Sequence, residues 1–214
     1  MENLNFEPPP SFDSMPRLQY TGFSIFLFVL CAMQKLSMDD LGRLSPEQFK
    51  AADKLPLVII LDNIRSMHNV GSVFRTADAF LCSELMLCGY TPQPPHRDIH
   101  KTALGATETV YWSYHKRTLE AIEQVRAKGY AIYSVEQASG SISTENMQSL
   151  NAPGLVKGLA LVLGNEVQGV EQSVIDQSDG CLEIPQYGTK HSLNISVAAG
   201  IVIWEASKLL RNRR

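Results

Sequence analysis

The chain is poor in the residues that announce the commonest kinds of chemistry and packaging. It has four cysteines in 214 residues. Cys31, Cys82, Cys88 and Cys181 show neither the close pairing of a metal site nor an even framework of bridges. They read as buried thiols of a reducing cytoplasm, and no metal is expected. Charge of one sign is also lacking. The net charge is −3, so any nucleic-acid partner must be met by a local basic patch and not by bulk charge. No Gly-rich loop is followed by Lys-Ser/Thr, which excludes a Walker A phosphate loop, and no GxGxxG follows a strand, which argues against an ordinary dinucleotide domain. No internal repeat is present. The longest apolar run, FSIFLFVLCAM between Thr21 and Met33, is shorter than the roughly 20 residues of a membrane span.

The first 54 residues differ from the rest. Met1–Tyr20 is Pro-rich and aperiodic, and its Glu2 and acidic lead do not suit the start of a signal peptide. The composition points to a start placed upstream of the native one, with Met33 or Met38 as the true first residue. Residues 1–54 are thus expected to be an extension, partly disordered or mis-started. It carries one short helix near residues 45–53, with Ser45 as cap and Pro46 at the first helical position.

From Leu55 to Arg214 the pattern is that of one domain of alternating strands and helices. LVIIL (57–61) and LALVL (159–163) are short and wholly apolar, as expected of strands covered on both faces. Further strands are expected at 84–88, 109–113, 130–135 and 181–184. Helices are expected at 69–81, 100–106, 117–128 and 170–177, and from Ser192 to about Arg211. Residues 89–99 and 136–158 read as irregular. This alternation implies an α/β parallel sheet with helices on both faces.

Three segments carry polar residues that a core does not need. In NIRSMHNVGSVFRTADAF (63–80) they lie at the C-terminal end of a buried strand, where open α/β sheets bind ligands. Asn69 suits a helix cap, and Gly71 allows another group to come close. Arg75 points away from the stripe Val70, Val73, Phe74, Ala77; its alternative is a surface pair with Asp78. In LVLGNEVQGV (161–170), Gly164 and Gly169 bracket a tight loop, where Glu166 is either a solvated acid or a binding group. In IPQYGTKHSLNISVAAG (184–200), Ser192 is placed to cap a helix whose Leu193, Val197, Ile201 and Trp204 share a face.

Together the segments read N-x5-N-x-G-x3-RTADAF, LxLGNExxG and IPxxGxxxSLNxSVAA. In order and wording they resemble the three motifs of the SpoU/TrmH family of RNA ribose 2′-O-methyltransferases, of the SPOUT superfamily. The resemblance covers about Leu57 to Leu210. It implies a parallel sheet whose C-terminal part forms a trefoil knot, a homodimer, and S-adenosylmethionine as cofactor. By the same resemblance Val135, Glu136, Leu163, Gly164, Asn165, Glu166, Ile184, Gln186, Ser192 and Leu193 surround the cofactor. Arg75, Ser192, Asn194 and Asn69 correspond to the catalytic set. Arg75 has two open roles: base, or partner of a phosphate and of developing oxyanion charge. The second suits a guanidinium that stays protonated.

His96, Arg97, His100 and Lys101 are the candidate RNA-contacting cluster, and Arg211, Arg213 and Arg214 form a basic tail. Gln186 and Tyr187 replace the commoner Met and apolar residue after Ile-Pro. The sequence before Leu55 is short and poorly basic, unlike members with a sizeable RNA-binding domain there. The expectation is therefore a compact RNA 2′-O-methyltransferase, tRNA favoured over rRNA, cytoplasmic and not membrane-bound. The alternatives are an idle RNA-binding or ribosome-assembly module with the same fold, which need not bind the cofactor, and a nucleotide-binding metabolic enzyme without a knot.

Overall fold

A computed structural model describes residues 35–37 and 40–213. The chain divides between Arg43 and Leu44 into two units. In the first, the Ser37 amide and hydroxyl both donate to the Asp40 carboxylate, at 2.9 and 2.6 Å. The readings made for Met1–Met33 and for Met38 lie outside the described residues.

The second unit opens with helix α1 (Pro46–Ala51). Ser45 and Gln48 cap each other reciprocally, and Pro46 stands where its missing N–H costs nothing. Strands β1 (Leu55–Asp62), β2 (Cys82–Cys88), β3 (Trp112–His115), β4 (Ala131–Val135), β5 (Ile142–Ser143), β6 (Leu159–Leu163) and β7 (Gly180–Glu183) form one sheet in the order β3-β2-β1-β6-β4-β7-β5. Every pairing is parallel. The crossovers carry α2 (Met67–Ala79), α3 (Arg97–Ala103), α4 (Ala106–Thr109), α5 (Thr118–Ala127) and α6 (Gln172–Ile175). The last helix, α7, spans Ile195–Arg211.

The apolar strands split their side chains between two cores because successive residues point to opposite faces. Leu57, Ile59 and Leu61 join Val70, Val73, Phe74 and Ala77 of α2 and Ala199, Val202, Ile203 and Ala206 of α7. Val58 and Ile60 join Ala121, Ile122 and Val125 of α5 and Val174 of α6. Both faces of the sheet are thus covered, as the continuous apolar runs require. Burial pushes the Cys82 and Cys88 thiols up to about 12; with Cys181 they are free and buried.

Four local features differ from the sequence reading. The helix expected at 100–106 runs instead over Arg97–Ala103. His96 Nδ1 accepts from the Asp98 amide at its start, and Leu104, at φ 49°, stops it. Thr107 and its neighbours form the separate turn α4, which moves β3 later. The stretch after β4 contains β5 and two 3₁₀ turns, Thr144–Ser149 and Pro153–Val156. Finally, the face of α7 carrying Val197 and Trp204 is not the buried one: they are 51% and 52% exposed. The core takes Ile195, Ala199, Val202, Ile203, Ala206, Leu209 and Leu210 from the other side. Gly71 serves the crossing of α2 and α3: a methyl group there would lie 2.3 Å from the Ile99 carbonyl oxygen.

One topological feature positions the site. β7 lies between β4 and β5, two strands that precede it in the chain. Its exit, residues 184–194, therefore emerges beside the end of β4, with β6 the next strand beyond.

Candidate active site

In a parallel sheet all strand C-termini share one edge, and here the loops after β1, β4, β6 and β7 converge on it. Glu166, after β6, is the hub. Its carboxylate accepts from the Arg65 amide (2.9 Å), the Ser66 amide (3.1 Å) and Asn69 Nδ2 (3.0 Å). Asn69 Oδ1 in turn accepts from Asn194 Nδ2 at 3.2 Å. One hydrogen-bond chain thus joins the three polar segments, over sequence separations of about a hundred residues. Partial burial acts to raise the Glu166 pKa, but the bonds from Arg65, Asn69 and Ser66 outweigh it, and the carboxyl sits below its usual value.

The helix caps are not those expected. Ser66, not Asn69, caps α2, its hydroxyl accepting from the Asn69 amide at 3.3 Å. Asn69, three residues in, is thereby free to turn its side chain toward Glu166 and Asn194. Likewise Asn194, not Ser192, caps α7: its Oδ1 accepts from the Ser196 amide at 2.9 Å and from the Ser196 hydroxyl at 2.6 Å. Ser192 sits in the preceding loop, exposed.

Beside this chain lies a cleft of about 610 Å³. All ten residues expected around a cofactor line it: Val135, Glu136, Leu163, Gly164, Asn165, Glu166, Ile184, Gln186, Ser192 and Leu193. Its floor is tightly built. A methyl group at Gly164 would lie 2.2 Å from the Gly169 carbonyl carbon and the Val170 nitrogen. Asn165 and Gly169 exchange backbone bonds of 2.9 Å, and Asn165 Oδ1 holds the Val167 and Gln168 amides at 2.8 and 3.1 Å. Glu136 accepts from the Val170 amide at 3.0 Å, tying the β4 exit to the β6 loop.

Sequence reasoning missed Gln137 and His191, which also line the cleft and bridge it through Gln137 Nε2 to the His191 carbonyl at 2.9 Å. Only the placement of β4 between β6 and β7 brings them together, and no local signal carries that.

The volume falls within the range of small-ligand sites. The lining combines apolar Leu163, Ile184 and Leu193 with the carboxylates of Glu136 and Glu166 and with amide groups. That set fits S-adenosylmethionine, which has a flat apolar-faced base, a polar ribose and a cationic sulfonium and ammonium.

Arg75 stands apart from the bonded network. It is exposed on α2, and its side chain has no hydrogen bond or ion pair among the described residues. Its alternative partner Asp78 instead accepts from the Thr109 hydroxyl at 2.5 Å. His96, Arg97, His100 and Lys101 are all exposed, at or on α3. His100 lies 3.8 Å from Glu108, and α3 is held to α2 by the Thr102 hydroxyl, which donates to the His68 carbonyl at 3.0 Å. In the basic tail Arg213 is bonded to the Leu150 carbonyl, so it staples α7 to the first 3₁₀ turn.

A parallel α/β sheet with a small-ligand cleft at its C-terminal edge, lined by the second and third motif loops and tied to the first through Glu166 and Asn69, matches the SPOUT class of methyltransferase folds. The model of the SpoU rRNA Methylase family matches residues 56–204, and the chain belongs to that family. Among known proteins it is similar to the tRNA (guanosine(18)-2′-O)-methyltransferase of Thermus thermophilus, 28% identical over 152 residues, covering 71% of this chain and 74% of that one. The solved AdoMet-bound rRNA methyltransferase of Sinorhizobium meliloti superposes with a TM-score of 0.66 at 27% identity, over 78% of this chain and 62% of that one. The A. aeolicus TrmH/SpoU tRNA modifying enzyme shares the fold, with a TM-score of 0.65 at 24% identity, over 75% and 78% of the two chains.

Proposed function

We propose that this chain is an S-adenosylmethionine-dependent RNA methyltransferase that acts on a ribose 2′-hydroxyl. The observation that carries the reading is the Glu166–Asn69–Asn194 chain at the mouth of the cleft. It brings the polar residues of all three motifs to one place, beside a cavity of the cofactor's size and polarity.

The backbone around Leu163–Glu166 and Ile184–Leu193 holds the cofactor, with Val135 and Glu136 as a further wall. Bound there, S-adenosylmethionine supplies the sulfonium methyl group. The chain's own task is alignment of the 2′-oxygen and stabilisation of its charge. Ser192 and Asn194 contact the target nucleotide, and Asn69 shapes its seat. Arg75, exposed and unpaired on α2, is available for RNA. A guanidinium keeps its proton at neutral pH, so pairing with a phosphate and with the developing oxyanion is the favoured role over that of base.

A tRNA is the favoured substrate, supported by the Thermus thermophilus relative. His96, Arg97, His100 and Lys101 supply a basic surface for it. A homodimer is supported by the exposed apolar face of α7, and the insertion of β7 between β4 and β5 supports a trefoil knot. The buried free thiols suit a reducing cytoplasm. Among the described residues no helix is long and apolar enough to cross a membrane.

The test is transfer of a labelled methyl group to bulk tRNA and rRNA from a strain lacking the gene, with digestion to locate the label. Label on ribose is expected; no transfer to any RNA overturns the reading. Arg75→Ala is expected to lower turnover by about 100-fold or more, the scale on which a single charge-stabilising donor acts, while calorimetric cofactor affinity stays within about twofold.

A further inference from the structure

Two tyrosines at the same sheet edge have a geometry that packing does not explain. Tyr90 follows β2. Its backbone amide donates to Asn63 Oδ1 at 3.2 Å, and its hydroxyl accepts from Asn165 Nδ2 at 2.7 Å. The residue is held at both ends, yet it is 59% exposed. Asn165 Nδ2 also donates to the Asn63 carbonyl at 2.7 Å, so both its protons are used. The Tyr90 hydroxyl is therefore the acceptor in their bond, and its own proton remains to be donated. Tyr114, on β3, donates its hydroxyl to the Gly89 carbonyl at 3.0 Å and is 41% exposed. The two rings flank Gly89, beside the loop whose Asn165 and Glu166 line the cleft.

An aromatic side chain pinned in one rotamer has lost its freedom without burying its ring, which leaves the ring surface for a ligand. The cations Arg65, after β1, and Lys116, after β3, border the same edge. Both are exposed, with no side-chain bond or ion pair among the described residues. Flat faces bordered by free cations suit a single-stranded nucleic acid, whose bases stack while its phosphates are neutralised. We propose that Tyr90 and Tyr114 form a stacking platform for an unpaired base of the RNA, flanking the methylated nucleotide. This rests on the RNA-methyltransferase reading and adds a residue pair outside its motifs.

The test uses the full chain and a single-stranded oligoribonucleotide carrying 2-aminopurine, whose fluorescence falls on stacking. Quenching on binding is expected. Tyr90→Ala and Tyr114→Ala are each expected to weaken binding about fivefold or more and to remove part of the quenching. Tyr90→Phe keeps the ring and is expected to bind within about twofold of the native chain. Circular dichroism and thermal unfolding of each variant check folding. Absence of quenching with the native chain overturns the platform whatever the methyl-transfer assay gives. Native-like binding by both alanine variants also overturns it, and leaves the methyltransferase reading intact if transfer persists. A Tyr90→Phe loss equal to that of Tyr90→Ala assigns the effect to the Asn165 bond and overturns stacking.

Discussion

Glu166 ties together segments about a hundred residues apart through one side chain. Its two oxygens hold two backbone amides at the start of α2 and the amide of Asn69. The helix N-terminus also favours the negative charge. Because these bonds need the ionised form, the folded carboxyl titrates below the ordinary 4.5. Its contribution to stability is complete above that value and is lost as pH falls below it, through the folded pKa. Glu166→Gln is expected to cost about 1 kcal/mol at pH 7, the usual worth of bonds to a charged group reduced for its solvent exposure. Thermal unfolding of both proteins at pH 7 and pH 3 checks this: the gap should narrow in acid. A gap that is unchanged at pH 3 would show that the cost is steric.

At the scale of elements, the two functional helices begin with the same device. In each, a polar residue just before the helix takes the cap, Ser66 for α2 and Asn194 for α7. Neighbouring polar residues are thereby released to the site: Asn69 toward Glu166, and Ser192 to the cleft wall. Local sequence offers several acceptable caps within a few residues, since Ser, Asn and Asp serve almost equally. Which one caps is decided by where the loop before it must go. Asn194→Ala is therefore expected to destabilise the fold by about 1 kcal/mol, and Ser192→Ala by less than about 0.5 kcal/mol. Urea unfolding distinguishes them. Equal costs would return the cap to Ser192. The same release explains Arg75: its i,i+3 neighbour Asp78 is engaged by Thr109 of α4, so an acid that could have quenched it looks elsewhere.

For the whole molecule, the outer face of α7 sets the expected assembly. Trp204 is 52% exposed although Phe80 meets its ring edge-on at 5.8 Å, and Val197, about two turns earlier, is 51% exposed. A second copy covering this face is expected to make the native chain a dimer, and Trp204→Glu is expected to shift it to monomer in sedimentation equilibrium; a native chain that sediments as a monomer removes the dimer. The apolar period of α7 was legible, but not which side it buries, because both sides carry apolar residues.

By itself the sequence determined the parallel α/β character, through LVIIL and LALVL, while the kind of chemistry was implied by the resemblance of its three motifs to those of the SpoU/TrmH family. Apolar runs and motif wording are local properties of the chain. Only the tertiary structure decided that β4 lies between β6 and β7, that Gln137 and His191 face the cleft, and that Asn69, Glu166 and Asn194 bond to one another. Contacts between residues a hundred positions apart depend on strand order, and strand order is chosen by how all the covered faces pack together, which no single segment encodes.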